Sequence, residues 1–496
     1  MKKIILLFIA GLLAFSCNLD KYPFSEVAAD DYVKGEESVN NLVIGMYNGL
    51  HSVMYYEWAV GEVRSDNARL RANNSTSQDS KLIEELDNNT ISTTHSWVQS
   101  YWDACYSTIN RANGVFPYLE LVDDAQKRAQ FEGEARFIRA YLYFNLVRLW
   151  GSVFKVTRKT GSDEARYMQR STVDEIYELI ENDLNTVIEQ EMLPVTMPAT
   201  DLGRADLKAA KALLAKVYMT HYRLGDSQYE AAKGLLKDVI AACGNPQSAA
   251  ELVPYDKIWA KDNEMNPEII FAVRYKEGNL GIGSPFSTLF GPVNNGGNVV
   301  LGAPKQYNYP SDDLINLYDA NDRRASVVYQ AGYTDKVTGS YVSVRWCNKY
   351  MQNDMAAEYD AEIDWPVIRL ADVMLLYAEI MNETAGVNDE SVLYLNMIRQ
   401  RAGAAAYTPA ELSSKYALRE ALRKERRMEL ALENQRWFDL QRWGIVSETI
   451  NAYYRTEAFY SAYNYTVNPI QDWQGLLPVP QTVLDVNDRI AQNPGY

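Results

Sequence analysis

The stretch LKAAKALLAKVYMTHYRLGDSQYEAAKGLLKDV, residues 207–239, decides the fold class. Leu207, Ala210, Leu214 and Val217 recur at steps of three and four, which places them on one side of a helix. Tyr229, Ala232, Leu236 and Val239 repeat the pattern, and Leu224-Gly225-Asp226 between them supplies a tight turn. The stretch is therefore two helices joined by a short connection. Outward from it the same period returns in Ala135, Ile138, Leu142, Leu146 and Leu149, and in Leu370, Val373, Tyr377 and Ile380. Val39 to Leu50 is also helical in pattern, and further helix pairs are predicted over residues 97–150, 172–220 and 367–402. The chain reads as mainly α.

The layout of residues 207–239 resembles a tetratricopeptide unit, with small residues where the two helices cross. Between Gly244 and about Glu362 the texture changes: Gly, Pro, Asn and aromatics cluster and the helical period disappears. Short strand-like runs, Ile269 to Val273 and Tyr341 to Trp346, sit among turns there. Residues 51–96 share this polar, aromatic character, and the tail from about Asn451 is again irregular. No stretch has the composition of a linker. The predicted organisation is one domain, 24–496, with a helical scaffold over about 97–245 and 366–445. Loop-rich excursions over about 51–96 and 246–362 form the ligand-binding half, because irregular segments on a rigid frame are where binding residues concentrate.

Met1-Lys2-Lys3 followed by the apolar run Ile4 to Phe15 reads as an export signal, too short to span a bilayer. Ala14-Phe15-Ser16-Cys17 looks like a bacterial lipoprotein processing site. The expected product begins at a lipidated Cys17, is held to a membrane surface by its acyl chains, and continues through a polar tether over residues 17–23. Three further cysteines, Cys105, Cys243 and Cys347, allow at most one disulfide. Cys105 and Cys243, in or beside helical stretches, are expected as buried thiols.

Across 496 residues, 65 acids against 49 lysines and arginines set a net charge of −16, which argues against nucleic acid as a partner. Three histidines leave little room for triad or metal chemistry, and no phosphate loop, nucleophile elbow or metal-ligand spacing occurs. No metal and no cofactor is expected. Glu425 and Glu429 lie one turn apart on the stripe of Leu418, Leu422 and Leu432. Such a pair can be drawn as glycosidase carboxylates. Both face inward, however, so a buried ion-pair network with Arg426, Arg427 or Arg436 is the better reading.

Aromatics are the other resource: 35 Tyr, 10 Trp and 13 Phe. Sugar rings stack their C–H faces on aromatic rings while Asp, Asn and Arg take the hydroxyls. Residues 55–69 and 305–346 mix these types. The ligand-binding candidates chosen on residue type and location are Asp66, Asn67, Arg69, Trp97, Tyr307, Tyr309, Tyr333 and Trp346. No catalytic residue is assigned.

Several motifs together resemble the SusD/RagB family of surface lipoproteins from Bacteroidota. They are Gly475-Leu476-Leu477-Pro478-Val479-Pro480, with Asn487 and Gln492-Asn493-Pro494-Gly495-Tyr496, and Glu425-Arg426-Arg427-Met428-Glu429-Leu430 through Arg436-Trp437-Phe438-Asp439-Leu440. Arg136-Phe137-Ile138-Arg139-Ala140-Tyr141 to Leu149-Trp150-Gly151, Ile109 to Asn113, and Gly203 to Asp206 complete the likeness. The resemblance implies helical pairs carrying an irregular binding half. It implies a non-enzymatic outer-membrane protein that captures a glycan and hands it to a SusC-like TonB-dependent transporter, with the RagB branch handling peptides instead. It carries no ligand-contact residue over to this chain.

Overall fold

The computed structural model describes residues 33–70, 77–456 and 467–496. Cys17 and the leader before it lie outside the described residues. The first long helix, α1 (Glu36–Trp58), continues through a wide turn to Val63. It is followed by α2 (Gln78–Asp87), α3 (Ser96–Asn113), α4 (Ala125–Trp150), α5 (Val173–Glu189), α6 (Leu207–His221) and α7 (Ser227–Ala242). After the long excursion come α8 (Leu370–Ala385), α9 (Asp389–Arg401), α10 (Lys415–Glu429), α11 (Arg436–Trp443) and α12 (Val446–Tyr454).

These helices stack in chain order: α1 on α3, α3 on α4, α4 on α5, α5 on α6, α6 on α7, and α8 on both α9 and α10. The excursion does not interrupt the stack, because α7 packs directly on α8. Local chemistry sets the ends. Thr172 and Glu175 form a reciprocal capping box at the start of α5, and the Asp206 carboxylate accepts the Ala209 N–H at 2.9 Å to open α6. Gly225, at φ 102°, makes the α6–α7 turn in a conformation other residues enter at a cost. Gly49 allows α1 to lie close on α3: a Cβ there would come within 2.6 Å of the Thr108 hydroxyl.

The excursion is pinched at its base by a two-stranded antiparallel sheet. In it β2 (Ile269–Val273) pairs with a returning strand over Trp365–Arg369, with Val273 opposite Trp365 and Ile269 opposite Arg369. Both strand-like runs predicted among the turns are strands. Two smaller antiparallel pairs complete the sheet structure among the described residues. In one, β1 (Ala68–Arg69) joins β3 (Tyr309–Pro310); in the other, β4 (Tyr329–Thr334) and β5 (Tyr341–Cys347) form a hairpin. The strand Trp365–Arg369 is β6.

Two details differ from the sequence reading. Within the region 51–96 read as loop, residues 51–58 are helical because Leu50, Val53, Met54 and Trp58 carry the buried stripe of α1 onward, and Gln78–Asp87 is helical on a stripe of Leu82, Ile83 and Leu86. The tail keeps helical form to Tyr454. Its end then returns to α4: Leu477 N–H donates to Leu149 O at 2.7 Å, Trp150 Nε1 to Pro478 O at 2.8 Å, and Asn493 Nδ2 to Trp150 O at 3.0 Å. The motif around residues 149–151 and both C-terminal motifs are thus parts of one contact.

Candidate aromatic binding surface and the charged core behind it

The charged block of α10 forms a lattice inside the protein. Arg324 meets Asp322, Glu425 and Glu429 at 2.7, 2.6 and 3.3 Å, and Arg369 meets Glu268, Glu429 and Glu433 at 3.0, 2.7 and 2.6 Å. Arg401 also holds Glu429, and Arg399 holds Glu425 at 2.9 Å. Burial alone raises the Glu429 carboxyl, but Arg401, Arg369 and Arg324 outweigh it and hold the group well below the usual carboxylate range. The expected ion-pair network is therefore present with different partners. Arg426 turns the other way to Asp372 and Asp439 at 2.9 and 3.1 Å, while Arg427 and Arg436 bind Asp66. With both glutamates wholly buried and filled by guanidiniums, neither carboxylate is offered to a substrate.

The same lattice claims two of the residues chosen for ligand binding. Asp66 takes a bidentate contact from Arg436 at 2.7 and 2.8 Å, and Asn67 bridges Glu62 and Arg427 at 2.9 Å each. They are 2% and 1% exposed, which corrects the expectation that they meet a ligand. Burial alone would raise the Asp66 carboxyl, but the charges of Arg427 and Arg436 outweigh it and hold the group well below the usual carboxylate range. Arg69 is buried as well. Its guanidinium lies over the Tyr309 ring at 5.1 Å, as that of Arg345 does at 5.3 Å, and reaches Asp312 at 3.5 Å. Trp346 is 3% exposed, edge-on to the half-buried Tyr333 at 6.4 Å, so it is a hairpin core residue rather than an open platform.

Trp97 and Tyr307 come together. Their rings are 6.1 Å apart, and both rest on the fully buried Trp58, at 6.0 and 6.3 Å. Tyr56 meets Trp97 at 5.9 Å and Tyr55 at 4.9 Å, and both tyrosines are half-buried. The cluster is graded, from the sealed Trp58 through Trp97 and Tyr307 to Tyr55 and Tyr56 at the solvent. Its geometry has local causes. Trp97 sits in the first turn of α3, where His95 caps the helix by accepting Val98 N–H on Nδ1 and donating from Nε2 to Leu82 O at 2.9 Å. Tyr307 lies between Gln306 and Asn308, both left-handed at φ 57° and 51°, and the Gln306 amide is tied to Arg345 O at 2.6 Å.

Polar groups rim the rings. Burial, then the neighbouring hydroxyls of Tyr359 and Tyr56, then Asp79 push the Tyr55 phenol up to about 12. Tyr307 is raised by burial and by Asp79, while the hydroxyls of Ser77 and Ser80 bond to it. Exposed Asp79 and half-buried Tyr359 were not among the candidates drawn from the sequence. Asp79 reads there as an ordinary acid in the first turn of a helix, and only the fold places it at the rim.

Elsewhere, an apolar cavity of about 530 Å3 is bordered by α3, residues 154–168 and the C-terminal helix Gln481–Val486. It holds none of the candidate residues. Cys105 and Cys347 are buried free thiols and Cys243 is a half-buried one. Among the described residues, no group of three or more metal-ligating side chains converges, and no helix is long and apolar enough to cross a membrane.

Residues 316–496 match the SusD family, and residues 18–219 match a family described as starch-binding associating with outer membrane. The chain belongs to the SusD/RagB family. Among relatives, the SusD-like protein P25 of Formosa agariphila is 27% identical over 97% of both chains. A laminarin binding SusD-like protein of known structure is 25% identical and superposes with a TM-score of 0.76 over 94% of this chain and all of its own. Surface glycan-binding protein A of Bacteroides thetaiotaomicron, solved in complex with laminarihexaose, shares this fold at a TM-score of 0.76 and 21% identity. Both of these solved structures are named as glycan-binding proteins.

Proposed function

We propose that this SusD-family protein is a non-catalytic surface lipoprotein that captures a glycan on the cluster of Tyr55, Tyr56, Trp97 and Tyr307. The graded aromatic cluster carries this reading. Half-buried Tyr55 and Tyr56, backed by the buried Trp97, Tyr307 and Trp58, suit the C–H faces of a sugar, and Asp79 at the rim suits its hydroxyls. Likeness to a laminarin-binding relative adds support and names the first probe.

The protein is held to the outer membrane by acyl chains on Cys17 and passes its ligand to a SusC-like TonB-dependent transporter. Capture is weak per site, on the order of micromolar or weaker, because stacking on a hydrated sugar leaves little surplus after desolvation and ordering. A polymeric ligand and many anchored copies make up the avidity. Affinity electrophoresis of residues 18–496 through gels containing laminarin and other plant, fungal, bacterial and host glycans is the test. Retardation by one glycan, weakened in Tyr55→Ala with the melting temperature kept, is the expected result. Migration unchanged by every glycan, together with salt-sensitive binding of cationic peptides, moves the protein to the RagB-like peptide-binding alternative.

A further inference from the structure

The outer face of α10 holds a second feature. Between the α6–α7 turn, α8, α10 and α11 lies a pocket of about 240 Å3 that shares no residue with the aromatic cluster. Its walls present four guanidiniums, of Arg223, Arg419, Arg423 and Arg442, against two carboxylates, of Glu379 and Glu383. Both carboxylates are already engaged. Glu379 is gripped by Arg442 and by Trp443 Nε1 at 3.0 Å, and Glu383 takes a bidentate contact from Arg419 at 2.6 Å twice.

The other two cations are under-used. Among the described residues the exposed Arg223 guanidinium donates only to backbone oxygens, Thr220 O at 3.2 Å and Tyr222 O at 3.3 Å. Arg423 reaches Glu420 at 3.1 Å through one terminal nitrogen, while its Nε is buried without a partner. Arg423 and Arg442 each lie 4.9 Å from the Trp443 ring, which fixes their planes. Within a chain of net charge −16, the walls of this pocket thus carry four guanidiniums against two carboxylates, and guanidinium N–H groups bond a charged acceptor more strongly than a neutral one.

From this we infer that the pocket receives an aspartate or glutamate side chain from a partner protein. Its volume suits a single side chain rather than an oligosaccharide, which fills ~300 Å3 or more. A wall of Trp443, Tyr222 and arginines matches the composition of protein-interface anchors.

Fluorescence anisotropy with the protein comprising residues 18–496 tests this, using a fluorescein-labelled decapeptide of alternating Glu and Leu, its Gln counterpart, and a galacturonate trimer as competitor. The acidic peptide is expected to bind about tenfold or more tightly than the Gln peptide, and to weaken several-fold from ~0.05 to ~0.5 M salt. Arg423→Gln and Arg223→Glu are each expected to remove about fivefold or more of that affinity. Equal affinity for the two peptides, or affinity untouched by Arg223→Glu, overturns the inference. Displacement by the trimer at lower concentration than unlabelled acidic peptide overturns it in favour of an acidic sugar. Arg223 is exposed, so its variant keeps the test decisive if Arg423→Gln unfolds. Laminarin retardation, run on the same samples, reads the aromatic cluster separately, so failure of one site is told apart from failure of the other.

Discussion

The inner face of α10 and the aromatic cluster are both rich in residues that could bind a sugar, yet they differ in how their demands are met. On the inner face every charge has an internal partner: Glu429 alone is shared by Arg324, Arg369 and Arg401. At the cluster the cover is uneven: Trp58, Trp97 and Tyr307 are buried, while Tyr55 and Tyr56 are half-buried at its edge. A group whose hydrogen bonds and charge are satisfied inside the protein has nothing left to offer a ligand. Apolar surface left at the solvent does. Residue type alone does not separate the two regions; the state of their partners does.

The largest effect that can break this comparison is removal of one shared carboxylate. Glu429→Ala leaves three buried guanidiniums short of a partner and is expected to cost ~3–5 kcal/mol, read as the shift in denaturant midpoint. A loss below ~1 kcal/mol shows that the lattice is not what holds the core. Next comes Trp97→Ala, expected to abolish glycan retardation while costing ~3 kcal/mol or more, since a large buried ring is lost. Tyr55→Ala, at the solvent edge, is expected to weaken retardation with less than ~1 kcal/mol of stability change, which separates binding from folding. Retardation kept in both variants removes the cluster from the ligand site.

The comparison extends to pH with opposite signs. Asp66, Asp372 and Glu429 are held low by their arginines and, for Asp372, by Lys216. Their contribution is complete above the ordinary carboxylate range and is lost as pH falls below about 4. Glu57 and Glu62 are pushed up to about 7 by burial, against the bonds that favour their charged forms. The proton uptake that accompanies their folding stabilises below their unfolded value and is lost as pH rises through 7. Glu57→Gln is accordingly expected to raise the melting temperature at pH 8 relative to the wild type and to leave it nearly unchanged at pH 5. An equal shift at both values shows that Glu57 is ionised throughout.

The smallest effect is Tyr341→Ala. This ring is 65% exposed on the β4–β5 hairpin, outside both regions, and its loss is expected to change stability by under ~0.5 kcal/mol and glycan retardation not at all.

The helical stripes were legible because a period of three and four needs only the chain itself. Leu207 to Val239 folds as α6, a Gly225 turn and α7, and Ile269 to Val273 and Tyr341 onward are strands. The internal role of Glu425 and Glu429 was legible from their place on the Leu418 and Leu422 stripe. Their partners were not: Arg324, Arg369 and Arg401 come from three segments 28 to 105 residues away. Asp66 and Asn67 were misread for the same reason, since Arg427 and Arg436 approach from more than 350 residues along the chain.

The sequence by itself determined the helical repeat, the inward face of α10 and the stock of aromatic rings, because periodicity and composition are local properties. Tertiary structure alone decided which rings meet and which charges are spent. Trp97, Tyr307 and Tyr56 become one surface only when α1, α3 and the excursion pack on Trp58. Arg423 keeps a free donor only because its neighbours on α8 and α11 already have partners. Partnership is a property of three-dimensional contact, and no pattern along the chain encodes it directly.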